Sequence, residues 1–138
     1  MTSPHRVFMA AILVAAFSGA ACNLFHHDDT TSSSSTPETL SGTLAQGGSV
    51  TMQFTVTTAG AVSVTLTSMT PSTSASVSMG VGTFSNGNCI VTSSVSSVVG
   101  GTSAQLSTNL GAGTGCVKVS DTGSLTAPET VTVTVSHS

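Results

Sequence analysis

The stretch Gly111–Asp121 reads GAGTGCVKVSD and decides the fold class of the chain. Its glycine turn leads into a period-two pattern in which Val117 and Val119 alternate with Cys116 and Lys118. Successive side chains of a β-strand point to opposite faces, so we expect the two valines to face a core while Cys116 and Lys118 face outward. We predict that this strand begins the closing β-hairpin of an all-β fold.

The same alternation of apolar residues with Ser or Thr extends over residues 38–138. The clearest run is Val50–Val56, and after an Ala-Gly turn a second run follows at Val62–Leu66. Two such runs joined by a short turn are typical of a β-hairpin. Seven or eight short strands without a helical period predict one antiparallel β-sandwich domain over residues 38–138.

The strongest turn signal is Asn86-Gly87, a pair that favours the two-residue loop of a β-hairpin. After this turn we expect a short strand, Cys89–Thr92, and then an irregular serine-rich segment, Ser93–Gly101. The alternation returns at Leu106–Leu110 and again at Val131–Val135, which we predict as the last strand.

Charge is scarce in this sequence. Charged residues make up 5% of the 138 residues, and the net charge is −3. Because only Arg6 and Lys118 are basic, no basic patch can form, and we expect no nucleic-acid partner. Ser and Thr supply about a third of the chain, which suits the solvated faces of an exported β-protein.

Residues 1–21 have the organisation of a secretory signal peptide. Arg6 precedes the apolar run Val7–Phe17, and small residues follow it up to Ala21. The run has only eleven residues. As a helix it would rise about 16 Å, about half of a bilayer core, which is too short for a transmembrane anchor. We therefore expect export and cleavage after Ala21.

Residues 19–22, Gly-Ala-Ala-Cys, resemble the lipobox of bacterial lipoproteins, although Gly19 stands where that family prefers Leu. The resemblance implies that Cys22 is diacylated and anchors the chain in the lipid bilayer, its expected partner. Asn23 stands where enterobacterial lipoproteins of the inner membrane carry Asp, which favours the outer membrane or the cell surface. Gly19 and Ala21 also fit plain secretion, which is the alternative.

Residues 22–37 are predicted to form the lipidated cysteine and a flexible tether. The run Thr30–Pro37 has no apolar side chain to bury, so nothing offsets the entropy cost of ordering it. His26-His27-Asp28-Asp29 has the side chains of a metal site, but a flexible peptide supplies no fixed cage. We interpret it as a solvated polar stretch.

Cys89 and Cys116 are the cysteines other than Cys22. Export into an oxidising compartment favours a disulfide between them, and two free thiols are the alternative. The bond would stabilise the domain by about 3.5 kcal/mol on the chain-entropy estimate. Because Cys116 is expected to face outward, we predict that Ile90 faces the core and Cys89 faces out, with the bridge on the outer surface or at a sheet edge.

The order of the predicted strands resembles the bacterial pre-peptidase C-terminal (PPC) domain. The resemblance lies in Leu40–Leu44, the strand centred on Phe54, Ala59-Gly60 leading into Val62–Leu66, Val77–Val81 and Gly113–Val119. That family usually has Tyr where this chain has Gly115. The resemblance implies a jelly-roll-like β-sandwich of the kind that serves as an accessory module of secreted hydrolases, and it does not imply peptidase activity for this chain.

Few side chains in residues 38–138 are suited to catalysis; the titratable ones besides the cysteines are Glu38, Lys118, Asp121, Glu129 and His137. A Ser-His-Asp triad needs a histidine held between the other two groups, and we expect His137 to be exposed and frayed. Gly80-Val81-Gly82 and Gly111-Ala112-Gly113 are interpreted as strand ends, because no helix follows to make a phosphate loop. We expect no catalytic residue, no cofactor and no enzyme activity.

Two ligand sites are candidates. Asp121 and Glu129 flank one loop and could bind calcium, as some proteins of the resembling family do, but two carboxylates are few for a site that needs about six to eight oxygens. Phe84 is the remaining aromatic candidate for stacking on a sugar, because Phe54 is assigned to the core. The predicted function is a non-catalytic structural or protein-interaction module of the cell envelope, with an unidentified protein partner. A carbohydrate- or ligand-binding module is the alternative.

Overall fold

Eight β-strands follow one another in residues 35–138, the part of the chain that this computed structural model describes. They are β1 (Thr36–Leu44), β2 (Ser49–Val56), β3 (Gly60–Thr70), β4 (Val77–Ser85), β5 (Asn88–Val98), β6 (Leu106–Leu110), β7 (Gly113–Asp121) and β8 (Glu129–His137). The all-β prediction is confirmed, and β1 begins at Thr36, ahead of the predicted domain start at residue 38. The predicted signal peptide, Cys22 and the rest of the tether up to residue 34 lie outside the described residues.

The strands form two four-stranded antiparallel sheets. One has the order β1-β8-β3-β6, and the other has the order β2-β7-β4-β5. The first strand thus pairs with the last, the second with the seventh, the third with the sixth, and the fourth with the fifth. This is the topology of a jelly-roll β-sandwich, as predicted.

One hydrophobic core fills the space between the two sheets. Val117 and Val119 of β7 are fully buried, as their alternation predicts, and the valines at 131, 133 and 135 of β8 join them. A buried Val, Leu or Met side chain stabilises the fold by about 1.5–3 kcal/mol relative to its exposed state. The inward rows of the strands therefore supply the main driving force for folding.

The predicted hairpin between Val50–Val56 and Val62–Leu66 is wrong. β2 pairs with β7, whereas β3 pairs with β6 and β8, so these consecutive strands lie in opposite sheets. The predicted closing hairpin of β7 with β8 is wrong for the same reason. Alternation shows which face of a strand is buried, and a strand can bury that face equally well beside its successor or across the core from it.

The Asn86-Gly87 turn joins β4 to β5 in a hairpin, as predicted. Both residues have positive φ values, 51° and 78°, which is the pattern of a type I′ turn. β5 continues to Val98, so the predicted short strand Cys89–Thr92 and irregular Ser93–Gly101 are wrong in their bounds. Pairing with β4, which also pairs with β7, overrides the weak strand preference of the serines.

The ring of Phe54 occupies the space that a side chain at position 115 would need. Phe54 and Gly115 are cross-strand partners in β2 and β7, and Phe54 is buried. A Cβ atom on Gly115 would lie 2.6 Å from Phe54 Cε2. The Phe54 ring of β2 therefore packs directly over Gly115 of β7, and the β2–β7 register continues without a shift.

We predict that Gly115→Ala destabilises the protein by about 1–3 kcal/mol, because the added methyl group forces the Phe54 ring out of its position. Gly111→Ala is the matched control, since a Cβ there meets nothing within 4 Å. Urea unfolding measures both free energies of unfolding. Equal values for the two variants would contradict the packing of Phe54 on Gly115.

Candidate functional site

Cys89 and Cys116 form the predicted disulfide, with their Cα atoms 5.8 Å apart. Cys116 is in β7 and Cys89 is in β5, and β4 runs between these two strands in the sheet. Strands separated by one other strand normally lie about 9–10 Å apart. β5 must therefore bend over β4 for the two sulfur atoms to meet.

Two glycines of β4 make this bend possible. The β4–β5 register shifts between Val81 and Gly82, and a Cβ atom on Gly82 would lie 2.8 Å from Val91 Cα. A Cβ atom on Gly80 would lie 2.7 Å from Val91 Cγ1. The prediction that Gly80 and Gly82 mark a strand end is wrong, because both lie in the interior of β4. Since they have no side chains, β5 can lie over the outer face of β4.

The predicted orientation of Ile90 is wrong because the bend in β5 carries it away from the core. Ile90 is 54% exposed. Cys116 alternates with Val117, so it lies on the outer side of β7 as predicted, yet it is fully buried. The disulfide thus joins β5 to the outer face of the sheet, and its Cys116 side chain is shielded from solvent.

Asp121 organises the loop that follows β7. Its Oδ2 accepts a hydrogen bond from the N–H of Gly47 at 2.7 Å. Its Oδ1 accepts three more, from the N–H groups of Gly123, Ser124 and Leu125 at 2.8, 3.0 and 3.2 Å. These donors, Gly47 above all, hold the pKa of Asp121 below its usual value, although partial desolvation opposes them. The sequence signal that identifies this role is an Asp two residues before a glycine, here Gly123 with φ 93°.

The two predicted calcium ligands are both used by the fold. Glu129 is 3% exposed, and its Oε2 accepts a hydrogen bond from the N–H of Ser72 at 2.8 Å. Asp121 accepts four backbone hydrogen bonds, so a cation at either carboxylate would have to compete with N–H donors. Within residues 35–138, no group of three or more His, Cys, Asp or Glu side chains is placed to hold a metal ion.

His137 is neither frayed nor exposed, contrary to the prediction. It ends β8 opposite Thr36 of β1, and its side chain is 14% exposed. Its ring centroid lies 5.3 Å from that of Phe54. Its Nε2 lies 3.5 Å from Glu38 Oε2, which is longer than a good hydrogen bond. The pairing of β8 with β1 therefore holds His137 in the sheet, although its position near the end of the sequence predicts a frayed residue.

The imidazole of His137 has no hydrogen-bond partner among the described residues. A histidine that activates a serine must bond to its hydroxyl and be oriented by a third group. The geometry thus brings a carboxylate, Glu38, close to the histidine, but no hydroxyl group within residues 35–138 is hydrogen-bonded to either ring nitrogen. Sequence reasoning missed this contact because Glu38 and His137 belong to strands at opposite ends of the described chain.

Phe84 lies near the turn of the β4–β5 hairpin, opposite Cys89. Its side chain is half-buried, whereas an aromatic platform for a sugar presents an open ring face. The lipidation candidate Cys22 and the stretch His26–Asp29 lie outside the described residues.

No family model and no curated protein matches the chain. Within residues 35–138, no helix has the length and apolar character needed to cross a membrane. The functional assignment therefore rests on the fold, the disulfide and the sequence pattern.

We predict that replacing both Cys89 and Cys116 with Ala lowers the free energy of unfolding by about 3.5 kcal/mol, because the unfolded chain gains the entropy of an open loop. Urea unfolding under non-reducing conditions measures the difference. Peptide mapping of the unreduced protein checks the premise. Recovery of Cys89 and Cys116 as free thiols would contradict the bridge.

The lowered pKa of Asp121 makes the stability of the fold depend on pH. A carboxyl group whose pKa is lower in the folded state stabilises the fold above its unfolded pKa, and that stabilisation is lost as pH falls through the folded value. Asp121→Asn should therefore lower the melting temperature at pH 7, and the difference from the natural protein should shrink on acidification below about pH 4. Thermal unfolding from pH 7 to pH 2 measures it. A pH-independent difference would show that the charge of Asp121 plays no part.

Proposed function

We propose that the chain is an exported, membrane-tethered, non-catalytic β-sandwich module of the bacterial cell envelope with a structural or protein-interaction role. The observation that carries this proposal is the Cys89–Cys116 bond. Structural disulfides persist in oxidising compartments outside the cytoplasm and are rare inside it. A single bond that joins β5 to β7 across β4 is suited to such a compartment.

The beginning of the sequence supports export and attachment. Residues 1–21 have the pattern of a signal peptide, and Cys22 follows a lipobox-like tripeptide. A diacylated Cys22 would anchor the chain stably, because two acyl chains bind a membrane firmly, whereas a single chain gives only marginal, reversible binding. A flexible spacer over residues 23–35 would have a mean reach of about 20 Å, enough to keep the sandwich clear of the lipid headgroups.

The described side chains support a role without catalysis. The carboxylates of Asp121 and Glu129 accept backbone hydrogen bonds that hold loops to the sandwich. His137 packs on Phe54 with Glu38 nearby and makes no hydrogen bond to a described nucleophile. These groups are used for structure, and the proposal assigns the functional surface to the sheets and their edges.

We also propose that the sandwich is PPC-like. The jelly-roll strand order is compatible with the fold that this resemblance implies. The glycine at position 115, where the resembling family has Tyr, faces Phe54 on the adjacent strand. Phe54 corresponds to the aromatic residue of the family's early strand, so this chain has one of the two aromatic positions that the resemblance implies. No observation favours the sugar-binding alternative at Phe84.

Mass spectrometry of the mature protein and fractionation of the cells that produce it test this proposal. We expect the mature chain to begin at Cys22 with acyl groups attached and to sediment with membranes. Cys22→Ala should release it into the soluble fraction, whereas the Cys89→Ala, Cys116→Ala control should remain with the membranes. A chain that begins with Met1, or an unmodified Cys22 at the mature N-terminus, would contradict lipid anchoring.

A further inference from the structure

Four strands form the edges of the two sheets: β1 and β6 in one, and β2 and β5 in the other. A long regular edge strand exposes unpaired N–H and C=O groups to which another chain can bind. Three of these edges have features that oppose such pairing. β1 contains Pro37 and Glu38, β5 has two register shifts against β4, and β6 is only five residues long.

The part of β3 that extends past β6 also has its backbone groups paired. The Gln105 side chain accepts a hydrogen bond from the N–H of Leu66 at 2.7 Å, and Gly101 donates its N–H to the Leu66 carbonyl at 2.8 Å. Leu66 of β3 is thus paired although β6 ends before reaching it. This sheet edge offers no long run of free backbone groups.

β2 lacks these protective features. Its eight residues, SVTMQFTV, include no charged residue and no proline, and its register with β7 has no shift. Within residues 35–138, no strand pairs with its other edge. β2 is therefore the regular, uncharged edge of the sandwich.

The register shows which backbone groups of β2 face this edge. Asp121 donates its N–H to the Gly48 carbonyl at 3.0 Å, so Gly48 and every second residue after it bond towards β7. The intervening residues direct their N–H and C=O groups to the open edge, and their side chains are exposed. They are Ser49, Thr51, Gln53 and Thr55.

We propose that β2 pairs antiparallel with β2 of a second copy of this chain, about a two-fold axis at Gln53. The two sheets that contain β2 would then form one continuous sheet. The inference names a partner for the interaction role proposed above, and it rests on that proposal in taking the copies to share a membrane surface. Anchored chains meet at a raised effective concentration, which favours association of identical edges.

The sequence of β2 is complementary to itself in this register. Gln53 lies opposite Gln53 of the second copy, and Thr51 lies opposite Thr55, so polar side chains meet on the exposed face. On the core face, Met52 lies opposite Phe54. About six backbone hydrogen bonds form between these residues, and no like charges stand opposite each other in β2.

One carboxylate that does not belong to β2 lies beside this edge. Glu38 of β1 lines a shallow cleft together with Gln53 and Thr55. Its Oε2 lies 3.5 Å from His137 Nε2.

A two-fold pair of β2 strands is also the closed, isologous arrangement that most soluble homo-oligomers adopt.

Site-directed cross-linking of the full chain in membranes tests the pairing. Gln53 is the cross-strand partner of Cys116, so the test uses a Cys89→Ala, Cys116→Ala background, in which a new thiol cannot exchange with the disulfide. In that background Gln53→Cys places one thiol on the two-fold axis, and a short bis-methanethiosulfonate reagent should convert the protein into a covalent dimer. Ser107→Cys is the control, because Ser107 is exposed on β6, the edge of the other sheet. It should give little dimer.

Two further changes in the Gln53→Cys background should abolish the dimer. Thr51→Pro removes an N–H that faces the open edge and leaves the bonds to β7 intact. Thr51→Lys with Thr55→Lys sets like charges opposite each other across the two-fold axis. A melting temperature equal to that of the Gln53→Cys background shows that either variant is folded.

The proposal is overturned if Gln53→Cys gives no more dimer than Ser107→Cys, if the dimer survives both blocking variants, or if the thiol is linked to a different protein. Membrane fractionation of the same samples separates this inference from the proposed function. A membrane-bound chain without the Gln53 cross-link refutes β2 pairing alone, whereas an unanchored chain refutes the tether whatever the cross-linking shows.

Discussion

The fold depends on the burial of alternate apolar side chains between two sheets of a sandwich. Val117 and Val119 of β7 and Val133 of β8 are fully buried in one core, to which each of the eight strands contributes at least one buried side chain. Because the core is built from every second residue, the intervening residues remain for the outer faces, and in this chain they are mostly Ser and Thr. A sheet of this kind stays solvated with very little charge.

Glycine sets the second constraint, in positions where two parts of the backbone or a large ring approach closely. Gly115 leaves room for Phe54 within the core, and Gly80 and Gly82 leave room for β5 on the outer face. The second approach brings Cys89 to Cys116 across an intervening strand. The disulfide is thus a consequence of small residues in β4 as much as of the cysteines themselves.

Local pattern predicted what depends on neighbouring residues. The positions of most strands, the inward direction of Val117 and the Asn86-Gly87 turn followed from alternation and turn chemistry. The partners of the strands did not, because a buried face is compatible with a hairpin and with a crossing to the other sheet. The exposure of Ile90 and the burial of His137 depend on a bend in β5 and on pairing with β1, which are contacts distant in sequence.

Nuclear Overhauser effects between Hα protons test this account most directly, since the central claim is that consecutive strands β2 and β3 lie in opposite sheets. Across a non-hydrogen-bonded antiparallel pair the Cα atoms are about 4.5 Å apart, and the facing Hα protons give strong cross-peaks. The account predicts such cross-peaks between Thr51 and Lys118 and between Gln53 and Cys116, which are partners in the β2–β7 register. A ladder of cross-peaks between Val50–Val56 and Val62–Leu66 would contradict it.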